Sequence, residues 1–91
     1  MASRLSTTAD TEIGTPWSPA GETVLQFIPT STTAYPIVSV QLSQDGGTTW
    51  NAIVNISTKV QKLIRLPQYK LLRLVLKANE VGQQFTVVDN E

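Results

Sequence analysis

The side chains that most often carry chemistry are sparse in this sequence. It contains no histidine and no cysteine, which removes imidazole-activated nucleophiles, thiolates and nitrogen or sulfur metal sites at once. The carboxylates Asp45, Glu80, Asp89 and Glu91 stand apart along the chain, without the close partner that general acid/base work requires. Asp45 with nearby carbonyls offers a calcium ion one carboxylate, where about six to eight oxygens are needed. The expectation is a protein without catalytic residues, metal or cofactor.

The densest motif is Ser43-Gln44-Asp45-Gly46-Gly47-Thr48-Thr49-Trp50, which fits S-x-D-x-G-x-T-W at every fixed position. A carboxylate at Asp45 can accept hydrogen bonds from backbone N–H groups of its own turn, and Gly46 and Gly47 tolerate positive φ. Thr49 and Trp50 then start a returning strand. The stretch resembles the Asp boxes of sialidases, over these residues alone. A many-bladed propeller with its arginine cluster does not fit into 91 residues, so the resemblance implies a structural turn built from Ser43, Asp45, Gly46, Gly47, Thr49 and Trp50, and no glycosidase activity.

The elements holding this turn follow from apolar periodicity. Residues 37–43 alternate Val38, Val40 and Leu42 with Ser39, Gln41 and Ser43, and residues 50–56 repeat the pattern with Trp50, Ala52, Val54 and Ile56. Together they predict a hairpin across Asp-Gly-Gly. Residues 22–28 and 84–88 read as further strands. Residues 59–66 and 69–77 read as a second strand pair around Pro67-Gln68, with Val60, Ile64 and Leu66 facing Leu72, Leu74 and Leu76. Leucine and lysine favour helix over 69–80, but the spacing of those three leucines has period two and favours strand. Six strands at short spacing predict an all-β, antiparallel β-sandwich, immunoglobulin-like or jelly-roll-like.

Residues 1–21 are rich in Ser, Thr, Ala, Gly and Pro and show neither apolar period. They are expected to form an extended N-terminal arm appended to a sandwich at residues 22–91. At roughly 3.3 Å per residue the arm would reach about 70 Å, enough to cross onto a neighbour. Arg4, Leu5, Ile13 and Trp17 are its candidate partner contacts. Trp17, flanked by Pro16 and Pro19, is either an interface anchor or a cap on the domain's own core.

Formal net charge is zero, so no global field draws the protein to nucleic acid or an anionic membrane. A run from residue 59 to 77 nevertheless holds Lys59, Lys62, Arg65, Lys70, Arg73 and Lys77 with no acid among them. Lys59, Arg65, Arg73 and Lys77 are candidate grips on an acidic partner surface; protection of strand edges against aggregation is the competing role and the one favoured. Trp17, Trp50, Tyr35 and Tyr69 do not cluster as a base-stacking platform. Residues 1–8 lack the apolar segment of a secretory signal, and no stretch approaches the roughly 20 apolar residues that span a bilayer. Neither nucleic acid nor membrane is an expected partner.

The succession of an alternating strand, S-x-DGGTTW, a second strand, Y-K-L-L-R-L-V-L, a glycine turn and Q-F-T-V-V is similar to small β-sandwich decoration or cement proteins of tailed-phage virions, over residues 22–88. That resemblance implies a structural bacteriophage protein made in the host cytoplasm and located on the capsid surface. It implies binding to the major capsid protein or another virion protein, with a homotrimer favoured. The competing expectation is a carbohydrate-binding or fibre-associated module, which would expose aromatics such as Tyr35 or Trp50 for sugar stacking.

Overall fold

The computed structural model describes residues 2–30, 36–58 and 61–90; Tyr35, Lys59 and Val60 lie outside them. The described residues form eight strands: β1 (Ser3–Thr7), β2 (Glu12–Ile13), β3 (Thr23–Pro29), β4 (Ile37–Leu42), β5 (Asn51–Ser57), β6 (Leu63–Leu66), β7 (Leu72–Lys77) and β8 (Phe85–Asp89). They make two four-stranded antiparallel sheets, ordered β1-β8-β3-β6 and β2-β7-β4-β5. The expected all-β sandwich is therefore what the chain forms, and residues 72–77 are strand, as their period of two predicts.

The pairings have a simple rule. β4 pairs with β5, β3 with β6, β2 with β7 and β1 with β8. The chain thus behaves as one long hairpin that turns between β4 and β5 and is then wrapped so that successive rungs fall alternately in the two sheets. β8 against β3 and β7 against β4 close the wrap. This strand order is that of a jelly roll, which decides between the two sandwich topologies expected.

Inward positions alternate along each strand and meet in one core. Leu25 and Phe27 of β3 face Val38 and Val40 of β4, Leu72, Leu74 and Leu76 of β7, and Phe85 and Val87 of β8, all essentially without solvent contact. Burying such side chains contributes about 1.5 to 3 kcal/mol each, so this layer dominates the stability of a chain with no disulfide.

Three expectations need correction. Residues 59–66 and 69–77 are not a hairpin: β6 pairs with β3 in one sheet and β7 with β4 in the other. Their apolar faces do meet, but from opposite sides of the core, and the intervening segment through Pro67 crosses between sheets.

The N-terminal segment does not extend away as an arm. β1 and β2 are the outer strands of the two sheets, Trp17 bridges to Leu72 with both backbone hydrogen bonds at 2.9 Å, and Leu5 and Trp17 are buried in the core. One apolar residue in a five-residue strand gives no visible period, so composition alone reads as linker. The sandwich accordingly begins at β1.

The face of Trp50 and Ala52 also differs. β5 shifts register against β4 between Val40 and Gln41, so Ala52 pairs with Gln41 on the outside while Val54 and Ile56 point inward. An extra residue at this bulge switches the alternation, and Trp50 precedes the strand.

Candidate functional site

The hairpin tip is held by a dense set of local bonds. Ser43, fully buried, donates from Oγ to Asp45 Oδ1 at 2.8 Å and accepts from the Gly47 N–H at 2.8 Å. Asp45 Oδ1 also accepts from the N–H groups of Thr48 at 3.2 Å and Thr49 at 2.9 Å. Gly46 and Gly47 take φ of 77° and 101°, the left-handed region where a side chain is strained. The Thr49 N–H, with the Ser43 hydroxyl behind it, lowers the Asp45 pKa from 3.8 to about 2. A carboxylate committed to its own turn and ionised at all ordinary pH is a poor proton carrier. Ser43, Asp45 and the N–H groups of Gly47, Thr48 and Thr49 thus hold the turn together.

The tip is tied to the neighbouring strand. The Trp50 indole N–H donates to the Gly47 carbonyl at 3.0 Å, and the Arg73 guanidinium lies 4.4 Å from the Trp50 ring centroid. Arg73 Nε donates to Gln41 Oε1 at 2.7 Å, and Lys70 Nζ reaches the Gln44 carbonyl at 3.3 Å. One face of Trp50 is thus covered by a cation, not presented to a sugar ring.

Beyond the tip lies the outer face of the sheet β2-β7-β4-β5. Cross-strand partners share a face, so the register places Ile13, Val75, Ser39 and Asn55 in one row. Lys77, Ile37 and Ser57 form the row on one side, and Arg73, Gln41 and Ala52 the row on the other. Ile13 is 55% exposed and Ile37 42%, and Ile53 at the β5 bulge is also exposed. Ser39 and Val75 between them are nearly covered by their neighbours. The strand residues of this face include two cations and no carboxylate, so it sets exposed isoleucines among neutral polar side chains with a positive border.

The candidate contacts therefore separate. Ile13, Arg73 and Lys77 come together on this face. Arg65 sits on the opposite sheet, exposed and 3.3 Å from Glu22. Leu5 and Trp17 are buried in the domain's own core. Arg4 stacks 4.9 Å from the Trp17 ring centroid and pairs with Asp89. Lys59 is outside the described residues, as is Tyr35.

Asn79 is a buried polar residue that sequence reasoning does not single out. Its Nδ2 donates to the carbonyls of Ala9 at 2.9 Å and Gln83 at 3.0 Å, and its N–H to that of Asp10 at 3.1 Å. It thereby ties the β1–β2 turn to the β7–β8 connection. Its neighbour Ala78 at φ 62° marks a tight reversal, but an Asn after an apolar strand is too common to signal this. Among the described residues no group of three or more His, Cys, Asp or Glu could hold a metal ion.

Comparison with protein-family models, curated proteins and solved structures found no match to the chain.

Proposed function

We propose that the protein is a non-catalytic structural module of a phage virion, a decoration or cement protein that binds the protein shell through the outer face of the sheet β2-β7-β4-β5. The observation that carries the docking surface is the pairing of exposed Ile13 and Ile37 with Arg73 and Lys77 on one carboxylate-free face. Apolar side chains rimmed by charge are what a protein partner can desolvate and orient against, and a partner surface with carboxylates opposite the two cations would be favoured. The virion context comes from the resemblance over residues 22–88. The jelly-roll order is compatible with it, but lectin domains share that architecture, so the fold adds no choice between them.

The test is composition. Particles purified from cells expressing the surrounding phage genes should contain this chain in many copies, in fixed proportion to the major shell protein by quantitative mass spectrometry. Particles complete without it, or carrying only traces that wash away, would exclude the decoration role.

A further inference from the structure

Four strands end the two sheets, and three of them are defended against pairing with another chain. β1 is five residues long and carries Arg4 at a register shift, β2 has two residues including Glu12, and β6 has four with Arg65 inside and Pro67 just beyond. Short length, charge, bulges and proline are the devices that blunt sheet edges. β5 differs. Its seven residues, Asn-Ala-Ile-Val-Asn-Ile-Ser, contain neither a charge nor a proline, and its bulge lies at one end, leaving the stretch from Val54 regular.

The open side of β5 can be assigned atom by atom. The Thr58 N–H donates to the Pro36 carbonyl at 3.0 Å, which makes that pair a hydrogen-bonded one. In an antiparallel ladder such pairs alternate, so Ile56 with Val38 and Val54 with Val40 are bonded likewise. Asn55 and Ser57 between them then turn their backbone groups away from β4. The Ser57 carbonyl accepts from the Gln61 N–H at 3.1 Å, which leaves the Asn55 N–H and carbonyl near the middle of the open edge with no strand beside them among the described residues.

We infer that β5 pairs antiparallel with the β5 of a second copy, around a twofold axis within a residue or two of Asn55. An antiparallel pair of identical strands is self-complementary, as a twofold contact requires. A strand without charge meets its own copy without repulsion, whereas β2 and β6 carry Glu12 and Arg65. The product is one continuous eight-stranded sheet, β2-β7-β4-β5 followed by the partner's strands in reverse. Both outer faces lie on the same side of that sheet, so the dimer presents Ile13 and Ile37 twice. A twofold pair is a different assembly from the trimer expected by resemblance, and it stands or falls independently of the shell reading.

Sedimentation velocity of the full chain over a concentration series tests it. The mass should rise from 9.9 kDa to twice that value, and hydrogen exchange at the Asn55 amide should slow in parallel. Asn55→Lys sets two like charges near the axis, and Asn55→Pro removes the N–H that faces outward, a position where edge strands accept proline. Each should hold the mass at the single-chain value while keeping the wild-type circular dichroism. A wild-type protein that remains monomeric with unchanged Asn55 exchange, a trimer, or a dimer that survives the folded variants would overturn the inference.

Discussion

The Arg4 guanidinium and the Asp89 carboxylate, 85 positions apart, meet as an ion pair that fastens β1 to β8. The Asp89 side chain is fully buried and that of Arg4 is 19% exposed. The β1 register shift between Ser3 and Leu5 leaves Arg4 as the extra residue, which frees its side chain to reach both Asp89 and the Trp17 ring. A single cation thus joins the first strand, the segment after the second, and the last.

Removing that cation leaves a buried carboxylate without its main counter-charge. Arg4→Met should destabilise the fold by about 3 kcal/mol, seen as a lower denaturant midpoint in urea unfolding. Replacing both members, as Arg4→Met with Asp89→Leu, should cost less than the single change, because no buried charge is then left behind.

Deleting residues 1–21 should leave no cooperatively folded domain. The deletion takes Leu5 and Trp17 out of the core and uncovers β8 and β7. Large core truncations cost about 3 kcal/mol each, against a total stability of roughly 5 to 15 kcal/mol. Calorimetry of the shortened chain should show no melting transition; a sharp one would restore the idea of a detachable arm.

Gly14→Ala probes the closure between the sheets. A Cβ at Gly14 would stand 2.9 Å from the Arg4 carbonyl oxygen and 3.2 Å from the Leu5 side chain, and a backbone atom cannot rotate out of the way. The variant should lose about 1 to 3 kcal/mol, measured by thermal unfolding, whereas Gly21→Ala, with open space around it, should change little.

The Asp45 turn makes a pH prediction with a definite sign. Its pKa is lowered on folding from 3.8 to about 2, so ionised Asp45 favours the folded state at pH above 3.8, and that contribution fades as the pH falls toward 2. Wild type should exceed Asp45→Asn in denaturant midpoint at neutral pH, with the gap closing through this window. A gap that does not change with pH would mean the carboxylate charge contributes nothing to the turn.

The part of the fold legible in the sequence is the part built from local signals. The β4–β5 hairpin shows in the alternation of Val38, Val40, Val54 and Ile56 and in the Ser43 to Trp50 turn, and this turn is also the point about which the whole chain doubles back. The remaining pairings join strands far apart in sequence, and nothing local distinguishes β6 beside β7 from β6 beside β3. Leu5 was legible as apolar but not as core, because a five-residue strand is too short to show a period, and for Trp17, which pairs only through an isolated bridge, a core cap was one of two open roles. The face proposed for docking was partly legible: Ile13, Arg73 and Lys77 stand out by type, but only the register of β2 on β7 brings them together, with Ile37 supplied by β4.

The central claim, that the outer face of β2-β7-β4-β5 binds a protein shell, is tested most directly by co-sedimenting purified protein with particles stripped of it. Wild type should bind saturably, and the double variant Ile13→Asp with Ile37→Asp, both at exposed positions, should fold normally and bind at least roughly tenfold more weakly. Equal binding by a folded double variant, or no binding by wild type, would contradict it.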